Sequence, residues 1–286
     1  NFCGIFGIKP TQGRVSAHNG SMSKNHNMFS QNGPLTRTVE DSALLLEVMS
    51  GFDEKDPITY MTPPIDFKNI LTQNIQGLKV AWSSDYGFAS VDPEIIDVNY
   101  KASLHLEKLG CTVEQPKLTL HPPYDKYGAI ITSDFYNSYG QYLKSHGDDM
   151  TNFCRFFIDR GSRVTTKEYA ETLGYIDDLK GKMARFFQTY DLLVSPTACF
   201  PAFTDINLED NFTEESDFPL HYFNGAFTMQ ANLIGYPAAS IPVGFTSNGL
   251  PIGLHVIAPK GQEGRILSLA LKYQETNPWI ESYLSI

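Results

Sequence analysis

Residues 78–114 run LKVAWSSDYGFASVDPEIIDVNYKASLHLEKLGCTVE, and their punctuation decides the fold class. Leu78–Trp82 is a short apolar run and reads as a strand. Asp92-Pro93-Glu94 then opens a helix, with Asp92 as N-cap and a proline at the first helical position. That helix runs to Leu109. Gly110 ends it, and Cys111–Glu114 follows as a second short strand. Strand, helix and strand in that order make an α/β unit.

Working outward, the same alternation continues in both directions. Upstream, Asn1–Thr11 contains a small, glycine-punctuated apolar run with the character of a buried strand. A helix follows Gly33-Pro34, with Thr38 and Asp41 placed like a capping box and Glu40 and Asp41 setting negative charge in its first turn. Leu44, Leu45, Val48 and Met49 supply its apolar face, Gly51 stops it, and Phe52–Pro57 forms a polar turn. Downstream, Tyr124 to Phe187 reads as helical, and its best segment is capped by Thr165 and Glu168. There Tyr169, Leu173, Ile176, Met183 and Phe187 recur at helical spacing and read as core. Strands are expected at Asp191–Ser195, Ala239–Phe245 and Ile252–Ile257, with a turn at Ser247–Gly249 and a closing helix over Gly264–Thr276. The acidic stretch Asp205–Asp217 reads as a surface loop.

Composition narrows the functional classes. The 286 residues are 42% hydrophobic and 19% charged, an ordinary globular balance. A net charge of −10 with no Lys/Arg run argues against nucleic acid or an anionic membrane as partner. No stretch approaches the roughly 20 apolar residues of a membrane span. The cysteines Cys3, Cys111, Cys154 and Cys199 are scattered and read as reduced, mostly buried thiols of a cytoplasmic protein. The sequons at Asn19 and Asn211 read as chance occurrences.

Chemistry-bearing motifs are then few. Seven histidines show no metal-ligand spacing, and neither a phosphate-binding glycine loop nor a GxSxG elbow occurs, so no metal and no cofactor is expected. Ser21-Met22-Ser23-Lys24 fits an SxxK pattern but sits in a polar Gly/Asn/His-rich stretch and reads as a loop.

The strongest signal is a series of blocks in fixed order: Cys3–Thr11 (CGIFGIKPT) with Gly13–Ser16 (GRVS); Gly33–Leu46 (GPLTRTVEDSALLL); Tyr190–Ala198 (YDLLVSPTA); Asn232–Pro242 (NLIGYPAASIP); and Asn248–Leu254 (NGLPIGL). Together they resemble the amidase signature family over essentially the whole chain. The resemblance implies an α/β fold in which one mixed β-sheet is covered by helices. It also implies hydrolysis or transfer of carboxamide groups through a Ser–cis-Ser–Lys triad and an acyl-enzyme. In the family the triad loop lies before the Phe-Cys-Gly block. The resemblance therefore makes residues 1–286 the C-terminal portion of a single amidase domain, cut just past the nucleophile loop. No residue of this sequence is assigned to the triad, and the chain by itself is expected to be inactive.

What the resemblance leaves here is scaffold and part of a substrate pocket. Tyr222, Phe223, Asn224 and Thr228, just before the Asn-Leu-x-Gly block, are the expected lining groups. Arg37 and Asp41 are expected to form a structural ion pair, and Lys9 a structural contact. The expected partners are a small-molecule amide, the missing N-terminal half and, through an exposed face, a second copy in a homodimer. Two family branches compete. In the catalytic component of the tRNA-dependent amidotransferase, an Asp and an Arg hold the free amino acid; their positions here fall on Gly225 and near Phe157. Without both charges a zwitterion would be desolvated unpaired, which favours a general small-amide hydrolase. A non-catalytic scaffold half is the third reading.

Overall fold

A computed structural model describes residues 1–18, 29–59, 66–122, 124–203 and 226–280. Seven strands appear in it: β1 (Phe6–Lys9), β2 (Leu35–Thr36), β3 (Lys79–Trp82), β4 (Thr112–Glu114), β5 (Leu192–Pro196), β6 (Ala238–Phe245) and β7 (Pro251–Ile257). Among the described residues the helices are α1 (Val39–Met49), α2 (Phe67–Leu71), α3 (Pro93–Lys108), α4 (Tyr124–Tyr139), α5 (Leu143–His146), α6 (Asn152–Ser162), α7 (Thr166–Phe186), α8 (Thr228–Ile234) and α9 (Glu263–Thr276).

The local signals act where the residues place them. Asp92 caps α3 by accepting the Glu94 N–H at 2.8 Å, with Pro93 at the first position. Thr165 and Glu168 make a full capping box on α7. Gly110, Gly235 and Gly249 take the left-handed conformation that ends α3, ends α8 and turns β6 into β7.

The strands form one mixed sheet in the order β2-β1-β6-β7-β5-β3-β4. β3 lies parallel to β4 and to β5, as the strand–helix–strand reading requires, and the other pairings are antiparallel. One face carries Phe6, Ile8, Val194, Ile241, Leu254 and Val256 and packs against α1, α3 and α9. The other carries Ala81, Leu193, Ala238 and Ile257 and packs against α4, α7 and α8. This is the α/β sheet covered by helices.

A buried ion pair ties the segment after the first of these strands to the last helix. Arg14 Nε lies 2.6 Å from Glu263 Oε1, and the same oxygen accepts the Thr11 N–H at 2.8 Å. Glu263 is 1% exposed. Burial pushes its carboxyl pKa upward, but the bonds from Arg14 and Thr11 outweigh that and hold it below the usual value.

Several expectations change. Leu44, Leu45, Val48 and Met49 do not pack on the sheet; α1 buries Val39, Ser42, Ala43 and Leu46 instead, leaving the larger side chains outward. Val39, Ala43 and Leu46 join Phe6 and Ile8 in one core cluster, so this stripe and not the neighbouring one is the inner face. Among the described residues Arg37 and Asp41 form no ion pair: the junction is held by Thr38 accepting the Asp41 N–H and by the Trp279 indole donating to the Arg37 carbonyl. Leu173 is half-exposed, while Thr172 and Leu179 join Ile176 and Met183 on the buried side of α7. The four cysteines are free, but only Cys111 and Cys199 are buried; Cys3 is exposed. The stretch 205–217 and Ser21–Lys24 lie outside the described residues.

α4 and α6 approach closely at Gly161, where a Cβ would land on the Thr132 carbonyl oxygen. Gly161→Ala should therefore cost about 1–3 kcal/mol. Gly174, whose Cβ position in α7 is open space, should gain up to about 1 kcal/mol on change to Ala. Urea unfolding midpoints of the two variants should move in opposite directions.

Candidate functional site

Strand register brings polar residues into a row across the centre of the sheet. Gly7 faces Ser240, Ser240 faces His255, and His255 faces Ser195 on four adjacent strands. Directly opposed residues share a face, so this row lies on the side covered by α8. It interrupts otherwise apolar strands, and each member is accounted for differently. Ser195 donates to the buried Tyr86 hydroxyl at 3.0 Å, and Ser240 Oγ lies 2.9 Å from Thr197 Oγ1. Gly253 leaves room for that cluster, because a Cβ there would meet Ser240, Asn1 and Thr197. Tyr86 itself has φ of 50°, an uncommon value for a bulky residue. Its hold is firm: its N–H donates to Ser83 Oγ, its carbonyl accepts from Leu120, and its ring meets Phe227 edge-on.

Beside this row lies a cavity of about 320 Å³. Its floor is β1 and β6, its far wall Thr228, Ala231 and Asn232 of α8, and its rim the segment Gln31–Leu35. Three buried polar atoms on its wall have no hydrogen-bond partner among the described residues: Asn1 Oδ1, Gln31 Nε2 and His255 Nδ1. Buried polar atoms are ordinarily paired, and these three open ones gather around one cavity. Asn232 orients the Gln31 end by donating to Gln31 Oε1 at 3.0 Å and to the Phe29 carbonyl at 2.8 Å.

Two titratable side chains, His255 and Lys9, line the cavity among the described residues. Burial, with the nearby Lys9 charge adding to it, pushes the His255 pKa down to about 3, so the ring stands uncharged. Burial also pushes Lys9 down to about 7, against a smaller upward pull from Glu263. The Lys9 ammonium donates to the Pro10 carbonyl at 3.0 Å. No Asp, Glu or Arg lines the cavity among the described residues. Nor do the described residues contain a His/Cys/Asp/Glu cluster able to hold a metal.

Of the expected pocket residues, Thr228 opens α8 and lines this cavity. Tyr222, Phe223 and Asn224 lie outside the described residues, as does Gly225. Phe157 is fully buried, its ring 4.1 Å from Phe153 and 5.0 Å from Phe135. Residue spacing does not distinguish His255, Ser240 and Gln31. The one signal in the sequence is a polar residue interrupting each apolar strand, Ser240 within Ala238–Val243 and His255 within Ile252–Ile257.

A family model described as Amidase matches residues 1–267. The chain belongs to the amidase family. Among its relatives is a glutamyl-tRNA(Gln) amidotransferase subunit of Thermodesulfovibrio yellowstonii, 32% identical over 98% of this chain and 61% of that protein. An acylamidase of Rhodococcus erythropolis is 26% identical over 98% of this chain and 58% of its own length. Among solved structures, 6-aminohexanoate cyclic dimer hydrolase aligns with a TM-score of 0.81 at 26% identity, over 98% of this chain and 62% of that one. The corresponding glutamyl-tRNA(Gln) amidotransferase subunit of Thermotoga maritima has a TM-score of 0.72 at 25% identity, over 97% and 59%. This amidase-family chain thus spans about three-fifths of the length of the relatives it matches.

The neutral, buried His255 makes a pH prediction. Its folded pKa lies below its unfolded value, so the unfolded chain binds the extra proton and stability falls as pH drops from about 6.5 toward about 3. The slope for one such group is at most about 1.4 kcal/mol per pH unit. His255→Asn should flatten the acid limb of a plot of urea midpoint against pH, leaving the neutral region nearly unchanged in slope.

Proposed function

We propose that residues 1–286 form the C-terminal portion of a single amidase domain that hydrolyses uncharged small-molecule carboxamides. The lack of any carboxylate or guanidinium in the described lining of the cavity beside β1 is the observation that carries this reading. A free amino acid brings an ammonium and a carboxylate, and each must meet an opposite charge once out of water. The described lining offers no carboxylate to meet the ammonium and no guanidinium, and its one lysine, pushed down to about 7, already donates to the Pro10 carbonyl. An amide instead offers an N–H and a carbonyl, which suit the unpaired His255 Nδ1, an acceptor in the Nε2–H tautomer, and the unpaired Gln31 Nε2 donor.

The chemistry follows the family resemblance. A serine hydroxyl adds to the amide carbon, a lysine takes its proton through a second serine, and the amine leaves protonated; water then releases the carboxylate from the acyl-enzyme. We place all three triad residues outside these 286, and the chain alone is then a scaffold carrying part of the pocket. A reducing, cytoplasmic setting fits its free cysteines, of which burial pushes Cys111 up to about 11 and Cys199 to about 12.

A second reading, the catalytic component of a tRNA-dependent amidotransferase working with partner subunits, is favoured by the 32% identity to the Thermodesulfovibrio protein. Phe157 weighs against it, because near where that branch would need an arginine a buried ring packs among Phe135 and Phe153.

Ammonia or aniline release from simple primary amides and acyl anilides distinguishes these readings. The full gene product should hydrolyse them without tRNA, and the 286-residue chain should stay at the blank rate. Turnover by the chain alone would overturn the placement of the triad. Glutamine-dependent, tRNA-dependent amidation by the full product with its partner subunits would overturn the choice of branch.

A further inference from the structure

Among the lysines whose side chains are described, Lys9 alone is not exposed. Strand alternation puts it on the Gly7 side of β1, opposite Ala238, so its side chain enters the face covered by α8. There it lines the cavity of about 320 Å³, which has room for a small organic molecule. Its Nζ donates to the Pro10 carbonyl at 3.0 Å. Glu263, the carboxylate whose charge reaches it, is already bonded to Arg14 and to the Thr11 amide. The other titratable side chain at the cavity is the neutral His255 of β7, and β6 and α8 contribute none. Burial outweighs the pull of Glu263 and brings the ammonium down to about 7. At pH 7 about half the molecules then carry a free amine, which keeps an N–H for Pro10 and gains a lone pair.

We propose that Lys9 is a nucleophilic amine that captures small uncharged aldehydes as imines inside this cavity, an activity separate from amide hydrolysis. The nitrogen lone pair adds to the aldehyde carbon, the C=O pair moves onto oxygen, and a proton passes from nitrogen to that oxygen. The carbinolamine then expels its hydroxyl, which leaves as water with the second nitrogen proton, and C=N forms. Aldehyde and amine are thus converted to imine and water, with no further reactant. Gln31 lines the same cavity with an unpaired Nε2 donor, which suits the oxygen as it gains charge. Ile5, Pro34 and Ala231 offer apolar contact to a short tail, and the lack of carboxylate or guanidinium disfavours a charged one. A carboxamide carbon is too weakly electrophilic for an amine, so the ligand class differs from the amide substrate. The inference does not rest on the amide-hydrolysis reading, because its test reads a covalent mark and not turnover.

The test incubates the 286-residue chain at pH 7 with butanal and cyanoborohydride, which reduces the imine to a stable secondary amine. Peptide mass mapping then locates the mark. Lys9 should be marked at least about tenfold faster than the exposed Lys79 and Lys117, whose amines stay almost wholly protonated at that pH. The advantage should vanish in denaturing urea. An aldehyde carried on dextran, too large to enter, should mark the exposed lysines and spare Lys9. Lys9→Met should lose the fast mark; the butanal and dextran comparison uses wild type, so it decides the matter whether or not that variant folds. Marking of Lys9 no faster than Lys79 would overturn the proposal. Equal marking of Lys9 by the dextran aldehyde would overturn it too, by placing the amine outside the cavity. A fast mark that maps to the Asn1 amine instead of Lys9 would overturn it equally.

Discussion

The β6–β7 hairpin is the constraint on which the rest of the molecule depends. One flank of β6 holds β1, and one flank of β7 holds β5, with β2 beyond the first and β3 and β4 beyond the second. Remove the hairpin and the sheet becomes two unconnected edges. Because side chains alternate with a period of two, the hairpin also fixes which residues face α8 and which face α1 and α9. Its register sets Ser240 opposite His255, and β1 and β5 extend that alignment to Gly7 and Ser195. The polar row and the cavity beside it are consequences of one turn at Ser247–Gly249.

Burying that row is unfavourable unless its atoms are paired. Ser195 and Ser240 are paired with Tyr86 and Thr197, but His255 Nδ1 has no partner among the described residues. The protein tolerates the open nitrogen by keeping the ring uncharged, which limits the cost to that of an unsatisfied neutral acceptor. Elsewhere the charges are matched. Glu263 receives Arg14 and the Thr11 amide, and this holds the segment after β1 against the first turn of α9. The cavity is therefore bounded by firmly held elements on the β1 side, and its open polar atoms are positioned rather than loose.

Much of the scaffold was legible in the residues, and the reasons are local. Asp92-Pro93 and Thr165-x-x-Glu168 announce helix starts because the capping chemistry uses neighbours in sequence. Gly110 and Gly249 announce ends and turns because their backbone conformations need glycine. What local reading could not supply was direction. Leu44, Leu45, Val48 and Met49 are as periodic as a core stripe, yet the sheet accepts Val39, Ala43 and Leu46 instead; only tertiary packing decides between two apolar faces. The Arg37–Asp41 pair failed for a related reason, since Trp279 and the Thr38 cap satisfy the junction without it. The site was the least legible part, because its members come from β1, β6, β7, α8 and the rim at Gln31 and meet only through strand register.

The pairing of β1 with β6 has a consequence for how the molecule forms. Thr11 and Glu263, which bond directly, stand 252 positions apart in the chain, so the β6 edge of β1 must wait for a partner from far downstream. Contacts of such long sequence separation are closed late and slowly. During synthesis one edge of β1 finds β2 within about thirty residues, while the other stays open until the hairpin emerges. An edge left open for that interval is free to pair wrongly, which is the hazard such a topology carries.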